Sequence, residues 1–311
     1  MPGVPFRYLT GDEDSGRWAG FPFRDGDIVI SARSRSGTTW TQLICALLIF
    51  QAPGLPAPLG QLSPWLDHLT ARREQVYALL AAQQHRRFIK THTPLDGIPL
   101  DPRATYIVTA RDPLDTAVSF YYHRMNIDRA RMQELTGEPG PAEPAVWKPL
   151  RDWLLAWIGR DADPRANLDS LPGVMWHLSD AWARRGDPNV VLVHYGELAG
   201  DLAGQMRRLA RRLGIAVPGP VWPGLVEAAA FERMRASAGQ FVPAGGILKS
   251  STAFFRRGRP GAAREILTGE EIAGYRARIA WMAAPDLLAW LHAPGSTAPG
   301  GTGPGGLTRP G

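Results

Sequence analysis

The 311-residue chain is 44% hydrophobic and 21% charged, ordinary for a protein with one large buried core, and its single cysteine excludes an intramolecular disulfide framework. No run approaches the ~20 apolar residues of a membrane span, and the opening MPGVPFRYLTGDEDSG lacks the basic start and apolar stretch of a signal peptide, so a cytoplasmic protein is expected. The formal charge is +6, but only Lys90, Lys148 and Lys249 are lysines; the basicity is a chain-wide arginine bias, without zinc-finger spacing, ribonucleoprotein motif or basic tail, and no nucleic-acid partner is expected.

Residues 1–25 read as an irregular lead-in, and 26–292 as one α/β domain. The first strong element is the strand Asp27 to Ala32, a β-branched run that reads as buried. It enters Arg33-Ser34-Arg35-Ser36-Gly37 and then the helix-length TTWTQLICALLIFQ, which Pro53 and Gly54 stop. Cys45 lies among Ile44, Ala46, Leu47 and Leu48, the setting of a buried structural thiol. Apolar spacing predicts a second helix from about Pro64 to Gln84. Strands follow at Arg87 to Lys90 and Thr105 to Ala110, the latter leading into a helix from Pro113 to Met125. The polar stretch Ile127 to Pro149 reads as a long excursion near the site or a disordered one. A buried strand, Val190 to His194, precedes a helix from Leu198 to Leu213. Ala293 to Gly311 is Gly/Pro-rich and too poor in apolar residues to order itself. Strands alternating with helices predict a central, mainly parallel sheet flanked by helices, with ligands beyond the carboxyl ends of its strands.

Strand, SRSGTTW, helix is the layout of an anion-binding loop. Gly37 lets backbone approach a phosphate, the helix start offers free amides, Thr38 and Thr39 add hydroxyls, and Arg35 adds charge. The nucleotide loop GxxxxGK[ST] does not fit. Aligned on Gly37, its first glycine falls on Ala32 and its lysine on Thr38. The strand VVLVH also ends in His194-Tyr195 rather than the aspartate that would hold magnesium, and no motif requires a metal.

SRSGTTW resembles the PKSGTTW loop of the cytosolic-type sulfotransferases that use 3′-phosphoadenosine 5′-phosphosulfate (PAPS). Three further segments match in the same order: RRFIKTHTPL, TYIVTARDPLDTAVSFYYH and FFRRGRPG. The resemblance spans about Asp27 to Arg264 and implies the P-loop-like sulfotransferase fold of a bacterial member. It implies that Arg111 and Ser119 grip the 3′-phosphate of the donor and that Arg256, Arg257 and Gly258 close over it. It places Trp40, Tyr195 and, through AAFERM, Phe231 around the adenine. The residues themselves leave alternatives: a salt bridge of Arg111 to Asp112 or Asp115, and a core role for Trp40.

Sulfuryl transfer requires an acceptor hydroxyl to lose a proton while charge builds on the leaving phosphate. An imidazole suits that proton, and His92 matches the family's base, with Lys90 beside it near the transferring group. Arg35 replaces the family's loop lysine and, unable to serve as an acid, is expected to stabilise the leaving charge. Other departures are Ala229-Ala230 where the family has Thr-Ser, and REILTGEE (Arg264 to Glu271) where it has a dimerisation segment. A monomer or weak homodimer is therefore expected. The partner is a small hydroxylated acceptor, with Trp65, Trp147, Trp153, Trp157 and Phe241 candidates for an apolar pocket or for the core. A magnesium-dependent phosphotransferase and a bisphosphate-binding regulator are the two competing readings.

Overall fold

Four short strands, Ile28–Ser31 (β1), Phe88–Thr91 (β2), Thr105–Ala110 (β3) and Val190–His194 (β4), pair in parallel in the order β2-β1-β3-β4. The computed structural model describes residues 4–137, 146–242 and 245–293. Both faces of the sheet are covered, which is why the strands read as unbroken apolar runs. Val29, Ile89, Tyr106, Val108 and Leu192 point into one core with Leu114, Val118, Leu154, Leu171 and Trp290. Ile28, Ile30, Phe88, Ile107, Val191 and Val193 point into the other, against Leu43, Leu47, Met206 and Leu209. Cys45 is fully buried in that second layer, and burial pushes its thiol up to about 12, as a structural role requires.

Helix α1 is Thr38–Phe50. The apolar spacing from Pro64 to Gln84 does not make one helix. Only Arg73–Ala82 (α2) is helical there. Pro64, Trp65 and Leu66 instead run beside β2: the Lys90 amide donates to the Pro64 carbonyl at 3.0 Å and the Leu66 amide to the Lys90 carbonyl at 3.2 Å. Proline is tolerated because that pairing uses its carbonyl, not the amide it lacks. Helix α3, Pro113–Asn126, starts where expected, with Asp112 accepting from the Leu114 amide. The excursion after it carries Arg129–Thr136 (α4), and its residues 138–145 lie outside the described residues. Leu150–Gly159 (α5) and Leu171–Ala183 (α6) cover the sheet and were not foreseen. The expected helix from Leu198 is two, Tyr195–Gly200 (α7) and Leu202–Leu213 (α8), broken at Asp201, whose carboxylate caps the second. Thr268 and Glu271 form a capping box on Gly269–Ile279 (α9), and Glu271 also binds Arg151, so both side chains of the REILTGEE segment serve within the chain. Of the expected tail, 294–311 lies outside the described residues.

Register sets the site. Ser31 pairs with Thr91 and Ala110 with His194, so the loop after β1 emerges level with His92, and Arg111 level with Tyr195.

Candidate active site

The turn after β1 is wound tightly enough that Arg35 takes a left-handed φ of 71° and Gly37 one of 109°. A side chain at Gly37 would also stand 3.1 Å from the Tyr195 ring. Among the described residues no side chain caps α1, which leaves its first amides open towards the loop. Arg35 is fixed by Nε donating to Ser119 Oγ at 3.1 Å, by Nη2 donating to the Phe254 carbonyl at 2.5 Å, and by stacking 4.1 Å over the Phe254 ring. Arg111, buried, donates to the Arg35 carbonyl at 3.2 Å and lies 4.4 Å over Tyr195. Arg256 lies 4.8 Å over Tyr122.

These three guanidiniums have no carboxylate partner among the described residues. Both acids near Arg111 are otherwise engaged: Asp112 caps α3, and Asp115 accepts from the Gly261 amide at 2.6 Å and the Ala263 amide at 3.2 Å, tying the late loop to α3. Among the described residues the buried Nε atoms of Arg111 and Arg256 have no hydrogen-bond partner. Burial, and then the like charge of Arg111, pull Arg35 down to about 9. Desolvated, mutually repelling cations beside open helix amides fit a polyanion. A planar group has walls here: the Trp40 ring lies 5.3 Å from Tyr195 and 6.4 Å from Phe231 between centroids. Trp40 is also largely buried, its Nε1 donating to the Ala229 carbonyl at 2.8 Å, so it serves core and cavity together. Gly258 has φ 71°, and a Cβ there would meet Phe231 at 2.3 Å, so only glycine lets the late loop lie on that ring. Arg257 points differently, forked onto Glu265 at 2.6 and 2.7 Å.

The end of β2 supplies the other half. Lys90 is buried with Nζ 3.4 Å from the Trp65 ring, and burial brings it down to about 7. His92, 6% exposed, is held well below the ordinary imidazole range by burial, then by Lys90 and Arg33. Every sequence-predicted site residue except Ser36 lines one cavity of about 720 Å³, and Ser36 is buried within the loop. The cavity joins the arginine cluster to His92.

The family model for the sulfotransferase domain matches residues 25–280. The chain belongs to the sulfotransferase family. It is a PAPS-dependent sulfotransferase, the enzyme class its motifs resemble. Among its relatives, a glycolipid sulfotransferase of Mycobacterium bovis is 42% identical over 312 residues, covering 93% of this chain and 94% of that one. A sulfotransferase 1A1 of Bos taurus is 24% identical, covering 90% and 95%. In fold, the sulfotransferase is similar to a retinol dehydratase in complex with androsterone and PAP (TM-score 0.63, 22% identity, 85% of this chain and 82% of that one). A mouse sulfotransferase complexed with PAP gives a TM-score of 0.59 at 21% identity, covering 86% and 88%.

Sequence reasoning missed several residues that surround His92. Buried Arg33 donates to the His92 carbonyl at 2.6 Å and to Asp169 Oδ1 at 2.6 Å. Asp67, fully buried, accepts from Thr91 and, at 2.6 Å, from Thr93, bracing the strand end, and burial raises it to about 6. Glu13 reaches His92 Nδ1 at 3.0 Å. These groups come from separate parts of the chain and carry no local motif, so only the fold brings them together. Trp65, Trp153 and Trp157 also line the sulfotransferase's cavity, with Phe120, Arg124 and Asn167, whereas Trp147 and Phe241 do not line it.

Proposed function

We propose that the enzyme transfers the sulfuryl group of PAPS to a hydroxyl of a small-molecule acceptor, with His92 as general base and Arg35 stabilising the leaving phosphate. The observation that carries this is one continuous cavity lined both by Arg35, Arg111 and Arg256, without acidic partners among the described residues, and by His92, held neutral by burial and neighbouring cations. PAPS, when bound, supplies the activated sulfuryl group and a charge-stabilised leaving phosphate. The loop amides after Gly37, Thr38, Thr39, Arg111, Ser119 and Arg256 would hold its phosphates, and Trp40, Tyr195 and Phe231 its adenine. Lys90 adds charge beside the reacting centre, and His92 takes the hydroxyl proton. The acceptor wall combines aromatic faces with Asn167, Asp169 and Arg124, which suits a molecule bearing both sugar hydroxyls and an apolar part. The relatives named glycolipid sulfotransferases make a glycolipid the first acceptor to test.

The deciding experiment is a thermal shift with adenosine 3′,5′-bisphosphate against ATP with magnesium, followed by transfer from labelled PAPS to a glycolipid panel. A ligand at ~100 times its Kd adds about 2.7 kcal/mol of stability. A large shift with the bisphosphate and little with ATP is expected. A shift with ATP alone would overturn the reading.

Donor binding should also depend on pH through Lys90. Free, its ammonium loses its proton near 7; an incoming anion favours the charged form, so binding takes up a proton. PAPS affinity is therefore strongest below pH 7 and weakens above it, by at most about tenfold per pH unit. The Lys90→Arg enzyme, which stays charged, should flatten that slope between pH 7 and 8.5. Equal slopes in the two enzymes, measured by calorimetry, would remove Lys90 from the anion site.

A further inference from the structure

We infer that Glu13, on the amino-terminal segment, is the positioning residue for the base: its carboxylate receives the Nδ1 proton of His92 and leaves Nε2 to take the acceptor's proton. The inference rests on the reading of His92 as base and adds a residue outside every matched motif.

Glu13 Oε1 lies 3.0 Å from His92 Nδ1, with both side chains about nine-tenths buried. Among the described residues the only other hydrogen-bond partner of Nδ1 is Ser34 Oγ at 3.5 Å and none is found for Nε2, while His92 lines the cavity. A carboxylate accepts and does not donate, so this contact selects the tautomer with its proton on Nδ1 and the lone pair on Nε2. Arg33 completes the arrangement. Its Nη1 stands 3.6 Å from Glu13 Oε2 and donates to the His92 carbonyl at 2.6 Å, so one guanidinium holds both the partner and the backbone of the base. Burial raises Glu13 above the usual carboxylate value, and the charge of Arg33 is the largest influence limiting that rise.

The carboxylate is delivered on a braced segment. The Thr10 amide donates to the Glu13 carbonyl at 2.8 Å, and the Glu13 amide to Thr10 Oγ1 at 3.0 Å. On either side, Asp14 donates to the Asp67 carbonyl and Leu69 to the Asp12 carbonyl, both at 2.8 Å. Such anchoring is more than an exposed salt bridge would require. As the acceptor's O–H bond breaks, an N–H bond forms at Nε2, and the new imidazolium is stabilised by a carboxylate that keeps its own charge. The other charged or titratable groups around His92 are Arg33, Asp169, Lys90 and Arg35, with His68, His123 and His177 further out.

The test compares Glu13→Gln, His92→Ala and the double variant in the full-length enzyme, by kinetics across pH and by ¹⁵N NMR of the histidine rings. Glu13→Gln keeps the shape and removes the charge. Its kcat should fall about 10- to 100-fold, less than loss of the base itself costs, with KM for the acceptor little changed. The acid limb of its kcat profile should move to lower pH, because imidazolium loses its counter-charge, and the bisphosphate thermal shift should persist. In the His92→Ala background the same change should have no further effect, since Glu13 acts through the ring. NMR should find wild-type His92 protonated on Nδ1. An equal fold-loss in both backgrounds, an unmoved acid limb, or a ring protonated on Nε2 would each overturn the inference. Full activity of His92→Ala alone would instead remove the base reading, while the ring tautomer would still report on Glu13.

Discussion

Replacing His92 by alanine should lower kcat by about 10²- to 10⁴-fold, the range a well-placed general base contributes, and leave the thermal shift with adenosine 3′,5′-bisphosphate intact. The two effects separate because the residues placed on the bisphosphate, Arg35, Arg111, Ser119 and Arg256, make no hydrogen bond to His92. In the wild type, burial and the cations Lys90 and Arg33 hold the ring well below the ordinary imidazole range. It is therefore neutral at pH 7, the form able to accept a proton. The kcat at saturating donor should stay level through neutrality and fall only in acid, as the ring becomes protonated. That depressed value also costs stability in acid. Below about pH 6.5, the ordinary imidazole value, the unfolded chain binds the proton that the buried ring refuses, so stability falls with falling pH. The alanine enzyme should lose both features. A turnover within a few-fold of wild type at pH 7.5 would exclude His92 as the base, and loss of the bisphosphate shift would show that the variant damaged the donor site instead.

The anion loop of this cavity was legible in the sequence because anion binding is local chemistry. A glycine with open helix amides and neighbouring charge must be consecutive in the chain, and Arg35 to Trp40 are. Arg111 and His92 each stand directly after a buried strand of a parallel sheet and line the cavity, while the roles proposed for them rest on the resemblance to sulfotransferase motifs. The support around His92 was not legible. Glu13 reaches His92 across 79 positions, and Asp169 reaches Arg33 across 136. Trp65 was misplaced for a third reason. Its apolar neighbours match a helical period, yet Pro64 and Leu66 gain hydrogen bonds to Lys90 that a helix would forgo. Tertiary pairing at a sheet edge overrode the local pattern, and it is that pairing that lays the indole against Lys90.

Arg35 is the residue on which the chain departs most pointedly from the motif it resembles, and its removal should cost nearly as much as loss of the base. Arg35→Ala is expected to lower kcat by about 10²- to 10³-fold, the cost of deleting one preorganised donor to developing charge. Arg35→Lys should retain much of the rate, because either cation can meet a leaving phosphate. A charge effect must be told from a backbone effect, since Arg35 sits at φ 71°, where non-glycine residues are strained. Arg35→Gly separates them. Glycine relieves the backbone and so should show a higher thermal midpoint than alanine, which loses the same side-chain contacts, yet it should be as slow as alanine if the guanidinium is what matters. The wild-type side chain is already docked on Ser119 Oγ and the Phe254 carbonyl, so its charge is in place before the donor arrives and needs no reorganisation during the reaction. A glycine enzyme with near wild-type turnover would show that the loop's shape suffices. A slow glycine enzyme with a fast lysine one would assign the effect to a positive charge held beside the leaving oxygen. Because arginine does not readily give up a proton at neutral pH, the leaving phosphate would then depart stabilised as an anion, without protonation by the loop.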